Sequence, residues 1–130
     1  MEEEVIEEEP QVDDQFEEAK GFYVSGKYLD ADKKFEELVK SYEVIYGLDD
    51  HRTLDAMYLY GLTCSKLGKY IDAKVIFEKV YHHRKSLLGD LHEDTIHAER
   101  ELSKICQRTG DHTTASLLAQ DIYDKLKKKQ

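Results

Sequence analysis

One pattern is written three times along this chain at a constant step of 42 residues. Gly26, Gly68 and Gly110 stand one step apart, as do Ala31, Ala73 and Ala115. The same step carries Tyr28 to Tyr70, Phe35 to Phe77, Gly47 to Gly89, Thr53 to Thr95, Ala56 to Ala98 and Cys64 to Cys106. A fixed period of this length marks a stacked array, in which no single unit can bury its apolar face alone. Such arrays act as surfaces for holding other proteins, so function is to be sought in a groove and not in a catalytic pocket.

Between these landmarks the spacing of apolar residues is helical. Ala19, Phe22 and Tyr23 line a first helix that stops at Gly26. A second, from about Tyr28 to Gly47, carries Ala31, Phe35, Leu38, Val39 and Tyr42 at i, i+3, i+4 intervals. The pair recurs over Thr53–Leu67 and Tyr70–Leu88, then over Thr95–Thr109 and His112–Lys128. The expectation is an all-α fold of six antiparallel helices, as three helix-turn-helix repeats at about 13–46, 53–88 and 95–128 in a short right-handed α-solenoid. Ala19, Gly61 and Ser103 are equivalent small residues that let the paired helix approach closely. Ala119 stands where Phe35 and Phe77 predict a third Phe, a smaller buried face suited to a terminal cap.

Composition agrees with a helical domain: one proline in 130 residues, and abundant Lys, Glu, Leu and Ala. No apolar run is long enough for a membrane span, and the acidic N-terminal residues do not resemble a secretory signal. The two cysteines occupy equivalent positions, as small buried residues do, and free thiols point to a cytoplasmic protein. The net charge of −9 is unevenly placed. Residues 1–18 hold 10 acids and no Lys or Arg, whereas the remainder holds 19 bases against 18 acids. Residues 1–12 therefore read as a disordered acidic tail, bounded near Pro10, ahead of a nearly neutral repeat domain. A balance of this kind argues against nucleic-acid binding, which needs a basic excess.

The run G-K-Y-L-D-A-D-K-K-F at Gly26–Phe35, echoed as G-K-Y-I-D-A-K-V-I-F at Gly68–Phe77, resembles the tetratricopeptide repeat (TPR). The linker L-L-G-D-L-H-E-D-T at Leu87–Thr95 is similar to that of kinesin-light-chain repeats, and Tyr46–Thr53 is a looser copy with His51 displaced by one. The resemblance covers about residues 13–128 and implies that the first helix of each pair lines a concave surface. It also implies a non-enzymatic interaction module or adaptor, needing no cofactor. Two Asn that the family often uses to grip a peptide backbone are here Tyr58 and Leu59, then Arg100 and Glu101.

On that concave surface the stripe beside the small residues is Phe16, Lys20, Tyr23 and Val24 in the first repeat. Its images are Tyr58, Leu62, Ser65 and Lys66, then Arg100, Lys104, Gln107 and Arg108. Each set lies on one helical face. The stripe is aromatic and apolar at one end and basic at the other, and contains no acid. The expected ligand is a peptide with an acidic and an apolar anchor, not nucleic acid or membrane. The segment Glu2–Glu9, E-E-E-V-I-E-E-E, is complementary to it and is a candidate self-masking competitor. The resemblance adds a comparable acidic self-binding segment ahead of the kinesin-light-chain repeats.

Other classes find little support. His82 and His83 point about 100° apart on a helix, and His92 and His97 lack co-ligands, so no metal site is expected. No phosphate loop, nucleophile elbow or H-E-x-x-H is present, so no enzyme is expected. The alternative function is a structural module acting through self-association or within a larger assembly, with Lys125 to Lys129 meeting another molecule's acidic tail. A monomer is favoured.

Overall fold

The computed structural model describes the backbone of residues 8–130 and side chains from Asp14 onward. It contains six helices: α1 (Glu8–Val24), α2 (Tyr28–Tyr46), α3 (His51–Lys66), α4 (Tyr70–Leu88), α5 (Glu93–Arg108) and α6 (His112–Lys128). Each packs chiefly on its neighbours in sequence, and α1 also touches α3. Among the described residues no helix is long and apolar enough to cross a membrane.

The helix ends obey the 42-residue step. At the end of α3 the backbone N–H of Lys69 donates to the Cys64 carbonyl at 2.8 Å, and Gly68 adopts φ +79°. This is a left-handed cap, open to Gly at little cost because no Cβ meets the following carbonyl. The same bond recurs from Lys27 to Phe22 and from Asp111 to Cys106. Helix starts are less uniform. His92 caps α5 by accepting the Asp94 N–H on Nδ1, and its image Asp50 caps α3 by accepting the Arg52 N–H. The displaced His51 is thus no cap; the carboxylate one place before it takes that role.

The acidic boundary differs from expectation. Helix α1 is already formed at Glu8, the first described residue and five before the expected Asp13, and runs through Pro10. The expected disorder of residues 1–7 lies outside the described residues.

The core is built from the repeated residues. Ala19, Ala31, Phe35, Ala56, Ala73, Phe77, Ala98 and Cys106 are fully buried. At Gly61 a Cβ would stand 2.8 Å from Phe77 Cε1, so the ring occupies the space that a side chain would take. Gly61→Leu is therefore expected to cost at least about 1–3 kcal/mol, read from chemical denaturation. Ser103, the image of Gly61, faces no such ring; its hydroxyl donates to the Ala115 carbonyl at 2.9 Å. Ala119, where a third Phe is expected, is exposed, so the buried face of α6 is smaller than those of α2 and α4.

Charged side chains join successive repeats. Asp32 of α2 pairs with Lys69 after α3 at 2.9 Å, and Lys74 of α4 pairs with Asp111 after α5 at 3.8 Å. These are equivalent positions with the signs exchanged. Arg84, buried on α4, donates to the Asp94 carbonyl and to Asp55 Oδ1, and lies 4.8 Å over the Tyr58 ring. Its five donors need several acceptors to be buried at tolerable cost, and α3 and α5 supply them.

Candidate functional site

Part of the predicted stripe converges on one cleft. Tyr23 from α1, Leu62, Ser65 and Lys66 from α3, and Lys104 and Arg108 from α5 line a volume of about 540 Å³. Two further residues complete it: Tyr70, which opens α4, and Glu101 of α5. The Arg108 guanidinium donates to the Tyr70 hydroxyl at 3.1 Å and lies 5.4 Å from the ring centre. That contact fixes a flexible cation at the rim while leaving it exposed.

Unlike the stripe drawn from the sequence, the cleft holds an acid, Glu101. Its carboxylate is 3.5 Å from Lys104 Nζ and its side chain is only 19% exposed. Burial chiefly, with Tyr28 and Glu101 adding to it, raises the Tyr23 pKa; burial and then Glu101 raise that of Tyr58. Both hydroxyls stay protonated and able to donate at neutral pH. Glu101, Lys104 and Arg108 lie at i, i+3, i+7, so a helical face drawn from Arg108 rather than from Arg100 includes Glu101. Tyr70 was signalled too, as the image of Tyr28.

The remaining predicted residues lie outside the cleft lining. Phe16 packs edge-on against Phe35, with ring centres 6.4 Å apart, and borders a separate depression with Tyr42 and Arg52. Lys20 sits 5.5 Å over Phe16 and 4.0 Å from Glu17. Arg100 lines a depression between α5 and α6 with Ile96, His97 and Leu126, while Gln107 is exposed and borders neither. Tyr58 is half-buried between Phe77, 5.8 Å away, and Arg84. Its first role is therefore packing. Val24 is exposed and likewise absent from the cleft.

The cysteines are buried, and burial pushes the Cys64 thiol up to about 12, against its ordinary 9.0. Such a thiol is a poor nucleophile at neutral pH. Among the described residues no three His, Cys, Asp or Glu side chains are grouped to hold a metal.

No protein-family model and no curated protein matches the sequence. Solved structures do match in shape. The nearly identical TPR-like repeats of a Podosopora anserina chain assigned to kinesin light chain superpose with TM-score 0.79 and 18% identity, over 93% of this chain and 57% of that one. A point variant of that protein superposes with TM-score 0.84 and 17% identity, over 97% of this chain and 59% of that one. This chain spans less than two thirds of either. The fold is that of TPR-like repeats, a fold that generally mediates protein–protein interaction.

Proposed function

We propose that this protein is a non-enzymatic interaction module that holds an acidic peptide segment with an apolar or aromatic anchor in the cleft between α1, α3 and α5. The supporting observation is the gathering of Lys66, Lys104 and Arg108 beside Tyr23 and Leu62, with Glu101 the lone acid among the lining residues. Three ammonium or guanidinium groups beside an aromatic wall suit carboxylates on the ligand and one ring or aliphatic anchor. Glu101 partly offsets the cations, so the apolar anchor must carry a share of the affinity.

Acidic peptides selected by display against the full chain supply the probe for fluorescence anisotropy. The double reversal Lys104→Glu and Arg108→Glu is expected to weaken the selected peptides about tenfold or more and to flatten the salt dependence. Unchanged affinity and salt slope would remove the cleft from the interaction. The acidic segment Glu2–Glu9 is proposed as a tethered competitor for the same cations. Removing residues 1–7, which leaves α1 from Glu8 to Val24, is then expected to tighten peptide binding; an equal affinity would make the segment a solvating tail.

A further inference from the structure

Among the described residues one side of α6 in the third repeat and one side of α1 in the first are uncovered. On α4 the face formed by Phe77, Val80, Tyr81 and Arg84 is buried between α3 and α5, Phe77 standing against Gly61 and Tyr58 of α3 and Arg84 donating to the Asp94 carbonyl of α5, with Tyr81 6% exposed. The equivalent positions on α6 are Ala119, Ile122, Tyr123 and Leu126; Ile122 is 8% exposed, and among the described residues no helix covers the other three. Tyr123 is 58% and Leu126 42% exposed. Beside them lies the depression of about 420 Å³ between α5 and α6, floored by Ile96 and Leu126 and rimmed by His97, Arg100, Lys129 and Glu93. In the second repeat the place of Leu126 is taken by Arg84, which the next helix caps through the Asp94 carbonyl. A terminal repeat that faces water permanently carries a polar outer face instead.

We propose that this face docks α1 of a second copy of the chain, so that copies stack head to tail and continue the solenoid. Two observations select that occupant. One is register: each internal joint sets a first helix against the preceding second helix, and among the described residues α1 is the first helix whose corresponding side is uncovered. There Asp14, Gln15, Glu17 and Glu18 are exposed. The other is charge. Residues 1–18 hold 10 acids and no Lys or Arg, whereas Lys127, Lys128 and Lys129 follow the apolar patch, with Lys127 Nζ 5.4 Å from the Tyr123 ring centre. Like ends repel and unlike ends attract, which favours head-to-tail over symmetric pairing. Such a heterologous contact does not close on itself and gives an open series of sizes.

Sedimentation equilibrium of the full chain from micromolar to near-millimolar concentration tests this. At low salt the weight-average mass is expected to rise with concentration past that of a dimer without a plateau, and to fall back in high salt. Tyr123→Glu with Leu126→Glu, both at exposed positions, is expected to give a monomer with unchanged helical circular dichroism. Lys127→Glu with Lys128→Glu, and Asp14→Lys with Glu17→Lys, are each expected to be monomeric alone and to associate with one another when mixed. A wild-type monomer at every concentration would overturn the proposal. So would a plateau at dimer mass, the mark of a symmetric contact, or association that survives the Tyr123 and Leu126 substitutions.

Discussion

Phe77→Ala is expected to lower the unfolding free energy by about 3–5 kcal/mol, the range for removing a fully buried aromatic ring. Phe77 is entirely buried, stands edge-on to Tyr58, and fills the space left by Gly61. Because Gly61 has no side chain to move inward, the cavity has little means of collapse. The residue also sits in the middle repeat, on which both outer repeats lean, so the loss should appear in one shared transition. Ala119 offers no precedent for tolerance: it is exposed, and Ser103 opposite is already occupied with the Ala115 carbonyl. Urea denaturation of the variant checks this. A loss below about 1 kcal/mol would show that Tyr58 or its neighbours refill the site.

The second large effect lies in a buried cluster of charge. Glu99 is fully buried on α5 and accepts from Lys125 Nζ of α6 at 2.7 Å. That ammonium is also 3.1 Å from Asp121 and 3.8 Å from Asp90, which in turn pairs with Lys85 at 3.7 Å. Tyr81 forms the aromatic wall, with Lys125 and Lys85 near its ring. Two ammonium groups among three carboxylates are neutral only when one carboxyl keeps its proton. Glu99 is that carboxyl: burial first, and then the neighbouring Asp121 carboxylate, raise its pKa from 4.5 to about 7. The contact with Glu99 holds Asp121 below its ordinary range, and the carboxylates raise Lys125 despite its burial.

The sign of the pH dependence follows. Between about 4.5 and about 7 the folded chain holds a proton on Glu99 that the unfolded chain has lost. The resulting stabilisation is complete below that window and is lost as pH rises through it, by up to about 1.4 kcal/mol per pH unit. Asp121 acts oppositely; its contribution is present above 3.8 and lost in stronger acid. Lys125→Met is expected to cost about 3–5 kcal/mol at pH 8, where Glu99 loses the ammonium that holds its pKa down and must either take up a proton or stay charged and unpaired. The cost should be smaller at pH 5, where Glu99 is neutral. Glu99→Gln should remove most of the slope between pH 5 and 8. Urea titrations of the three proteins at both pH values decide it, and parallel curves would refute the assignment of the proton to Glu99.

That cluster also marks where the sequence ceased to be readable. Periodicity placed the helices and their landmarks because the glycine caps and the Phe and Ala core positions recur in place, and each obeys a local rule. Glu99 and Lys125 obey none. They are 26 residues apart, they stand where the middle repeat has Met57 and His83, and only the packing of α5 on α6 makes either tolerable in the interior. Arg84 is similar: a charged residue read from pattern alone belongs to a solvated face, and its burial depends on acceptors from two other helices. The candidate cleft was half legible. Helical register found Tyr23, Leu62, Lys66, Lys104 and Arg108, but drawing the stripe from Phe16 to Arg100 shifted it away from Glu101 and Tyr70. The helical backbone from Glu8 to Val12 is not legible because Pro10 reads as a boundary.

The exchanged signs of the two bridging pairs bear on how such a chain can change over time. Duplication of one unit would have given identical bridges, interchangeable between joints. Here, excising the middle unit would bring Asp32 against Asp111, and inserting a second copy of it would bring Lys74 against Lys69. Either rearrangement sets like charge against like at the new seam. The three units therefore carry an address as well as a shape, and the order in which they are strung is protected by the sign of four side chains.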